Sequence, residues 1–207
     1  MSTEKYPLPD GWRWVRLGEV CQFCQYGLTA TATNDKDGFP YIRITDIDDL
    51  GNIKMDAIKF VRCDESTYKK YVLKDGDILF ARSGSIGRTF LYNGSPQNAI
   101  FASYLIRFRL KQEFISPLWL FYYTHSPQYF WFIEEKKHTV SQPNINAEEY
   151  KSLLIPLPPL ERQHRIASYL KQKMVEVEKL RTAIKRQLEA INALPQVILR
   201  KAFRGEL

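Results

Sequence analysis

Two short motifs in the chain contain residue types that enzymes use as nucleophiles or metal ligands. The segment LFARSGSIGRTFLY, Leu79–Tyr92, places two serines and two glycines between apolar runs, close to the G-x-S-x-G pattern of hydrolases. A nucleophile elbow needs glycine two residues before its serine, and a helix after the second glycine. Here Ser83 takes the earlier glycine position relative to Ser85, and the strand-like RTFLY follows Gly87. No histidine has a recognisable triad context and no G-x-x-x-x-G-K-[ST] loop occurs, so we interpret the segment as a strand, a turn and a strand.

The turn in this segment carries hydrogen-bond donors that suit a nucleic acid. Arg82, Ser83, Ser85 and Arg88 have the side chains that commonly meet phosphates and base edges. The same residues also suit a hairpin turn without any binding role. The sequence leaves both interpretations open.

The second motif is the C-x-x-C formed by Cys21 and Cys24, whose spacing suits a redox pair or half of a zinc site. A second pair of ligands at matching spacing is missing, and His125, His138 and His164 are isolated in the sequence. We therefore predict that the thiols pack near the start of a domain and that the chain holds no metal. An odd number of cysteines fits a reducing compartment.

Composition and charge exclude several classes of protein. The 207 residues are 44% hydrophobic and 14% aromatic, which is enough for a packed core and too much for a disordered chain. Apolar runs are far shorter than the roughly 20 residues of a membrane span, and the N-terminus lacks an apolar signal segment, so we expect a cytoplasmic protein. Most of the net charge of +7 arises from Glu161 onward, where there are 11 Lys and Arg residues and 5 Asp and Glu residues. The first 160 residues contain 19 Lys and Arg residues and 18 Asp and Glu residues. This charge suits DNA, and equally a solvated helix face.

Residues 1–157 predict a mixed domain, and the whole chain an α+β fold. Four segments rich in β-branched and aromatic residues are bounded by turn formers, as strands are. They are Phe39–Thr45, Gly76–Arg82, Gly87–Tyr92 and Ile100–Leu110. Ser116 and Pro117 predict the start of a helix, which Pro127 ends or kinks before helical residues continue. Prolines at 156, 158 and 159 predict an extended exit from the domain.

Residues 158–207 predict a long helical region. From Leu160 to Leu194 there is no glycine or proline, and a stripe recurs in steps of four and three, as in coiled coils. A helix of about 50 Å outreaches a body of 160 residues, whose radius of gyration is about 15 Å, so a partner helix is predicted. Pro195 is predicted to begin a short final helix that Gly205 closes. The partner-facing residues are Ile166, Leu170, Val177, Leu180, Ile184, Ile191 and Leu194, with Lys173 and Gln187 as polar interruptions.

Four segments together identify a family. LPDGWRWVRLGEVC, KDGDILFARSGSIGRTFLY, IPLPPLERQHRIASYL and LRKAFRGEL resemble, in that order, the signature segments of specificity (S) subunits of Type I restriction-modification systems. The resemblance covers essentially the whole chain. It implies a target-recognition domain over residues 1–157 that reads half of a bipartite DNA site in the major groove. It also implies a spacer helix over 158–207 that docks methyltransferase (M) subunits, and it leaves open whether restriction (R) subunits join the assembly. An S subunit has no catalytic activity, so S-adenosylmethionine is expected only on the methyltransferase.

The chain departs from the family pattern in length. A usual S subunit carries two recognition domains and two spacers, whereas this chain has one of each and no internal repeat. It is either a half-subunit that pairs with itself or a fragment of a longer chain, and both remain open. If two copies pair antiparallel, they would read two inverted half-sites separated by an unread gap. At ~3.4 Å per base pair, a helix near 50 Å sets an upper bound of about 15 base pairs between domain centres.

Candidate DNA contacts lie in polar loops beside the predicted strands. Amide side chains suit adenine, guanidinium groups suit guanine, and lysines suit phosphates. The candidates are Gln142 and Asn144 for adenine, Arg82 and Arg88 for guanine, Lys136 and Lys137 for phosphate, and the loop residues Thr29, Thr31, Asn34, Ser83, Ser85 and Tyr104. Because acidic residues cluster in TDIDDLGN, we predict a basic groove and an acidic opposite side. The alternative is a coiled-coil adaptor whose globular domain binds protein. Salt dependence separates the two functions, because DNA binding weakens steeply as the salt concentration rises.

Overall fold

Three small β-sheets with short helices form the first of two compact units, Met1–Arg165, and the second unit is Ile166–Leu207. A computed structural model of the chain describes residues 7–137 and 144–206. Within these ranges the strands are β1 (Arg13–Arg16), β2 (Cys21–Tyr26), β3 (Phe39–Ile42), β4 (Lys59–Val61), β5 (Ile78–Ala81), β6 (Thr89–Leu91), β7 (Ile100–Phe101), β8 (Leu105–Leu110) and β9 (Leu154–Leu157). The helices are α1 (Leu17–Val20), α2 (Glu65–Tyr71), α3 (Pro117–Tyr123), α4 (Pro127–Lys137), α5 (Ala147–Lys151) and α6 (Leu160–Phe203), with 3-10 turns at Ile44–Asp46 and Met55–Ala57.

The largest sheet has the order β2-β8-β5-β6, and all its neighbouring strands are antiparallel. The other two sheets are the pair β1-β9 and the three-stranded β4-β3-β7. All four residues of β5 are buried, because its apolar run meets packed side chains on both faces of the sheet. On one face Phe80 packs against Phe108 and Tyr150, with ring centroids 5.0 and 4.9 Å away.

A buried carboxylate lies at the start of β5. Asp77 accepts two hydrogen bonds from the Arg109 guanidinium, each 2.7 Å long, and one of 2.8 Å from the backbone N–H of Lys74. A second guanidinium, that of Arg107, lies 3.5 Å from the same carboxylate and is nearly inaccessible to solvent. Burial lowers the pKa of Arg107, while the charge of Asp77 opposes that effect. The single Asp77 carboxylate offsets one of the two guanidinium charges, and Arg107 also donates to the carbonyl oxygens of Val72 (2.7 Å) and Lys70 (3.1 Å).

Most of the predicted elements are present, and the differences have local causes. The strand predicted over Phe39–Thr45 ends at Ile42, because Asp46 accepts the N–H of Arg43 at 2.9 Å and tightens the chain into a 3-10 turn. The strand predicted over Ile100–Leu110 is divided into β7 and β8 by a tight turn, in which the Leu105 N–H donates to the Ala102 carbonyl at 2.9 Å. Pro127 begins a separate helix, α4, after α3 ends at Tyr123.

The chain enters α6 through a set of buried hydrogen bonds within the first unit. Gln163 is fully buried; its Nε2 donates to the carbonyls of Phe114 (3.0 Å) and Pro158 (2.8 Å), and its Oε1 accepts from the Ser116 N–H at 2.8 Å. The indole N–H of Trp119 donates to Pro156 at 3.0 Å. The proline-rich exit is therefore an ordered part of the first unit.

The prediction that Pro195 begins a new helix is wrong, since α6 runs without a break through this residue to Phe203. A proline inside a helix lacks the N–H that would reach the carbonyl four residues earlier, and its ring crowds that carbonyl; the exposed surface here leaves the carbonyl open to water. The end of the helix is as predicted: Gly205 has a φ of +69°, its N–H donates to Ala202, and the Glu206 N–H donates to Lys201. Among residues 7–137 and 144–206, no helix has both the length and the apolar content of a membrane-spanning segment.

Candidate nucleic-acid interface

One end of the four-stranded sheet gathers most of the polar loops that the sequence singled out. Because the strands are antiparallel, β2 and β5 finish where β8 and β6 begin, as the pairings Tyr26↔Ile106 and Ala81↔Leu105 show. The loops after β2, between β5 and β6, and before β8 must therefore lie side by side. We call this region, with the segment that precedes α5, the strand-end surface; it comprises Tyr26–Thr29, Arg82–Arg88, Ala102–Tyr104 and Asn144–Asn146.

Backbone hydrogen bonds join all four segments of the strand-end surface. The Arg82 N–H donates to the carbonyl of Tyr104 at 3.0 Å, and the Arg82 carbonyl accepts from the Ile145 N–H at 2.9 Å. The Ser103 N–H donates to Leu28 at 2.9 Å. Side chains on these segments are thus held by the sheet, although each segment is a loop.

The Arg82 side chain lies at the centre of this surface and is held on two sides. Its guanidinium carbon stands 4.7 Å from the centroid of the Tyr26 ring, and its Nε donates to Asn144 Oδ1 at 3.2 Å. The Tyr26 hydroxyl accepts the N–H of Ala147 at 3.1 Å, which fixes the ring in turn. These contacts use the face of the guanidinium and its Nε, whereas a bidentate bond to guanine or phosphate can use the two terminal nitrogens. The geometry therefore preorganises Arg82 for planar recognition.

Tyr26 and Gly27 open the polar loop Tyr26–Asp35, which the sequence indicated as a candidate, but sequence reasoning assigned neither residue a role of its own. A Cβ built on Gly27 would lie 2.2 Å from the carbonyl oxygen of Ala102, so no other residue fits without moving the backbone. This close approach lets Leu28 form a parallel bridge with Ala102. A glycine directly after a strand was the available signal, because it marks close backbone contact.

The second candidate guanine reader, Arg88, is engaged by the acidic segment. Its Nε donates to Asp49 Oδ1 at 2.7 Å, and its Nη1 donates to the Ile47 carbonyl at 3.0 Å. The Asp49 side chain is 85% exposed, and it lies beside the Arg82–Arg88 turn. The expectation that this acidic segment occupies the opposite side is therefore wrong at Asp49, because the opposite charges pair across the two loops. A contact between Arg88 and guanine stays a prediction.

The loop after β2 leads away from the Arg82 cluster toward the three-stranded sheet. Thr29 and Thr31 are exposed, and Asn34 accepts a hydrogen bond from the Lys59 ammonium on β4. The Thr33 N–H donates to the Phe60 carbonyl at 2.8 Å, which pairs this part of the loop with β4. Thr29 thus belongs to the strand-end surface, and Asn34 contacts a different sheet.

The remaining candidates lie in or beside the turn. Ser83 and Ser85 are half-buried, and the Ser85 carbonyl accepts the Arg88 N–H at 3.2 Å. A Cβ on Gly87 would lie 3.5 Å from Ile133 and 3.6 Å from Phe130, so α4 packs against the turn. Lys136 and Lys137 end α4, and their ammonium groups contact Glu135 (4.0 Å) and Glu134 (2.7 Å), respectively. Tyr104 is 61% exposed. Gln142 lies outside the described residues.

The cysteines of the C-x-x-C motif lie on β2. Cys21 is buried and its Sγ donates to the Phe23 carbonyl at 3.0 Å, while Cys24 is half-buried. Burial raises the pKa of the Cys21 thiol to about 11, so it stays protonated at neutral pH. The packing predicted for Cys21 is confirmed. In the part of the chain that the structure describes, no three His, Cys, Asp or Glu side chains are grouped as metal ligands are.

The chain is similar throughout to one family of proteins. The family model of the Type I restriction modification DNA specificity domain matches residues 9–190. The putative type I restriction enzyme MjaX specificity subunit of Methanocaldococcus jannaschii is 32% identical over 98% of this chain and 48% of its own length. The EcoBI specificity subunit of Escherichia coli is 28% identical over 100% of this chain and 44% of its own.

Solved structures give the same result. A chain from a study of complex assembly and conformational transition of the type I R-M system has a TM-score of 0.75 and 30% identity, over 98% of this chain and 48% of that one. The crystal structure of the HsdS subunit from Thermoanaerobacter tengcongensis has a TM-score of 0.64 and 29% identity, over 98% and 47%. The chain spans about half the length of the curated relatives it matches.

Proposed function

Because the chain belongs to the family of Type I restriction modification DNA specificity domains, we propose that it reads one half of a bipartite DNA site and performs no catalysis itself. Its membership of this family confirms the resemblance of the signature segments, and the α+β fold is that of the family's solved structures. What remains to be established is which surface meets DNA and how a chain with one recognition domain completes a bipartite site.

The observation that carries the proposal is the preorganised Arg82 on the strand-end surface. Arg82 is placed by the ends of three strands, backed by Tyr26 and fixed by Asn144. Loops of this composition provide both kinds of contact that DNA reading needs: guanidinium and amide groups for base edges, and hydroxyls for phosphates. A rigid sheet that supports polar loops is also the usual arrangement of binding residues in proteins.

The long helix supplies the second half of the proposal. The apolar stripe on α6 is exposed from Val177 onward, with Val177 49%, Ile184 63% and Ile191 60% accessible, whereas Ile166 and Leu170 are half-buried. Pairing two such helices antiparallel removes this surface from water and gives a dimer with a two-fold axis, which reads inverted half-sites. Methyltransferase subunits dock on this dimer and supply the bound S-adenosylmethionine, and restriction subunits join the same assembly. The assembly acts in the cytoplasm, where the DNA is.

Binding of the purified chain to DNA at a series of salt concentrations tests the proposal. Fluorescence anisotropy with a labelled duplex of mixed sequence should show binding whose log K falls linearly with log salt, by about 0.9 for each phosphate neutralised. Duplex that fails to bind at low salt, together with salt-independent binding to another protein, would instead establish the adaptor function.

A further inference from the structure

The apolar stripe on α6 continues beyond Leu194. Because α6 passes through Pro195 without interruption, the next position of the heptad pattern, seven residues after Ile191, is Ile198. Its side chain is 52% exposed, as accessible as those of Ile191 (60%) and Leu194 (51%). The stripe therefore has ten positions from Ile166 to Ile198, and eight of them are apolar.

The stripe contains two kinds of position, which alternate. One set, the heptad d positions, is Ile166, Lys173, Leu180, Gln187 and Leu194; the other, the a positions, is Leu170, Val177, Ile184, Ile191 and Ile198. When two heptad helices pack antiparallel, each core layer joins an a position of one helix to a d position of the other. The two members of every layer then lie at equal distances in sequence from a common midpoint, which marks the two-fold axis.

We propose that two copies of this chain pair through α6 with the two-fold axis beside Thr182, which rests on the antiparallel dimer of the proposed function and specifies its register. About this midpoint every stripe position has a partner of the other kind. The fully apolar layers are Ile166 with Ile198, Leu170 with Leu194 and Leu180 with Ile184, and the mixed layers are Lys173 with Ile191 and Val177 with Gln187.

The neighbouring registers bury less of the stripe. Moving the axis by half a heptad toward the N-terminus leaves Leu194 and Ile198 without a layer, and moving it the other way leaves Ile166 and Leu170 outside. Either shift reduces the fully apolar layers of the dimer from six to four, while the number of mixed layers is unchanged. Since burial of apolar side chains drives this pairing, and Ile166 and Leu170 are already half-buried, the register centred on Thr182 is favoured because it has the most fully apolar layers.

Polar residues in the stripe do not favour a shifted register. Lys173 and Gln187 each face an apolar residue in all three registers, because no shift of half a heptad places one against the other. A lysine at such a position can extend its charged end past the apolar partner into water. The apolar layers therefore decide the register.

Two alanines on α6 provide a direct test. Ala183 and Ala190 occupy equivalent flanking positions, one residue before Ile184 and one before Ile191, and both are exposed. In an antiparallel pair this flanking position faces its counterpart on the other helix. With the axis beside Thr182, Ala183 of one copy faces Ala183 of the other, whereas Ala190 faces Glu176. A half-heptad shift in either direction separates the two Ala183 residues.

The experiment compares A183C with A190C in the full-length chain, each treated with a short bis-maleimide cross-linker. A183C should form at least about tenfold more covalent dimer than A190C or the parent chain, because facing thiols react at millimolar effective concentration. Mass spectrometry should find a peptide joined through residue 183 in both copies, which separates this product from reaction at the native cysteines. Circular dichroism of both variants serves as the folding control.

The opposite results are equally clear. Equal yields from the two variants, or a larger yield from A190C, would overturn the register while still showing that the copies pair. A chain that binds DNA with the expected salt dependence but gives no covalent dimer from either variant would overturn the register, and a parent chain that sediments as a monomer would overturn the pairing itself. A parent chain that does not bind DNA would count against the proposed function and not against the register.

Discussion

Replacing Arg82 by Lys and by Gln separates base reading from simple charge attraction at the strand-end surface. Lysine keeps the positive charge but has no planar fork, so it cannot lie over Tyr26 while it bonds two atoms of a guanine edge. A bidentate contact to a base contributes about 1–3 kcal/mol of discrimination, which corresponds to about 5- to 150-fold in affinity. We therefore expect R82K to lose that factor on the cognate half-site and to change little on unrelated DNA.

The R82Q variant reports on charge. Loss of one phosphate-neutralising group should lower the slope of log K against log salt by about 0.9, whereas R82K should keep the slope of the parent chain. R82Q loses the cation–π contact to Tyr26, and both variants lose the Nε hydrogen bond to Asn144; an exposed cation–π contact and one hydrogen bond contribute about 1–2 kcal/mol together. For a chain of this length that loss lowers the melting temperature by about 2–8 °C, so both variants remain folded at 25 °C.

Anisotropy titrations with two labelled duplexes make the measurement, one carrying the cognate half-site and one with its guanines exchanged. R13Q is the matched control, because it removes the same charge from an exposed arginine on β1, in a different sheet. If R82K discriminates between the duplexes as well as the parent chain does, and R82Q keeps the parent slope, Arg82 does not contact DNA. The assignment of the strand-end surface would then be lost.

Three further outcomes are expected. D77N leaves two arginines of β8 without their buried carboxylate and should lower the free energy of unfolding in urea by about 3–5 kcal/mol. D49N, at an exposed ion pair, should lower it by less than about 1 kcal/mol, and equal effects of the two variants would contradict the buried cluster. Insertion of seven residues after Thr182 keeps the apolar stripe in phase and moves the two helix starts of the proposed dimer about 10 Å further apart. The gap in the methylated site should therefore widen by about three base pairs, and an unchanged gap would refute the spacer function. Hydrogen bonds from Ser66 and then Thr67 hold the pKa of the Asp64 carboxyl at about 2, below its usual 3.8. This cap of α2 therefore stabilises the fold fully above about pH 4, and its contribution is lost as the pH falls through 2. Titration of the carboxyl carbon by NMR checks this pKa, and an ordinary value would exclude the cap.

Local patterns predicted most of the elements. The β5–β6 hairpin, the start of α3 after Ser116 and the heptad stripe of α6 all depend on residues close together in sequence, whose propensities agree with the fold. Pro195 is the exception, because proline is favoured in the first turn of a helix, where N–H groups have no intrahelical partner, and yet lies inside α6 here.

The site could be predicted only in part, because its contacts join distant segments. The turn that carries Arg82 was identifiable from its glycines and serines, but its partner Asn144 lies 62 residues away and Tyr26 lies on another strand. The pairing of Arg88 with Asp49, 39 residues apart, has no local signal either. Such contacts depend on sheet order, which one sequence does not specify.

Sequencing of the modified bases in cells that express this chain with its cognate methyltransferase tests the central claim most directly. We expect one new methylated motif that is interrupted by an unread gap and symmetric about its centre, because the two identical recognition domains of the proposed dimer would face opposite strands. An asymmetric motif would show that this chain reads DNA beside a different half. Genomic DNA without any methylated motif that depends on this chain would contradict the proposed function.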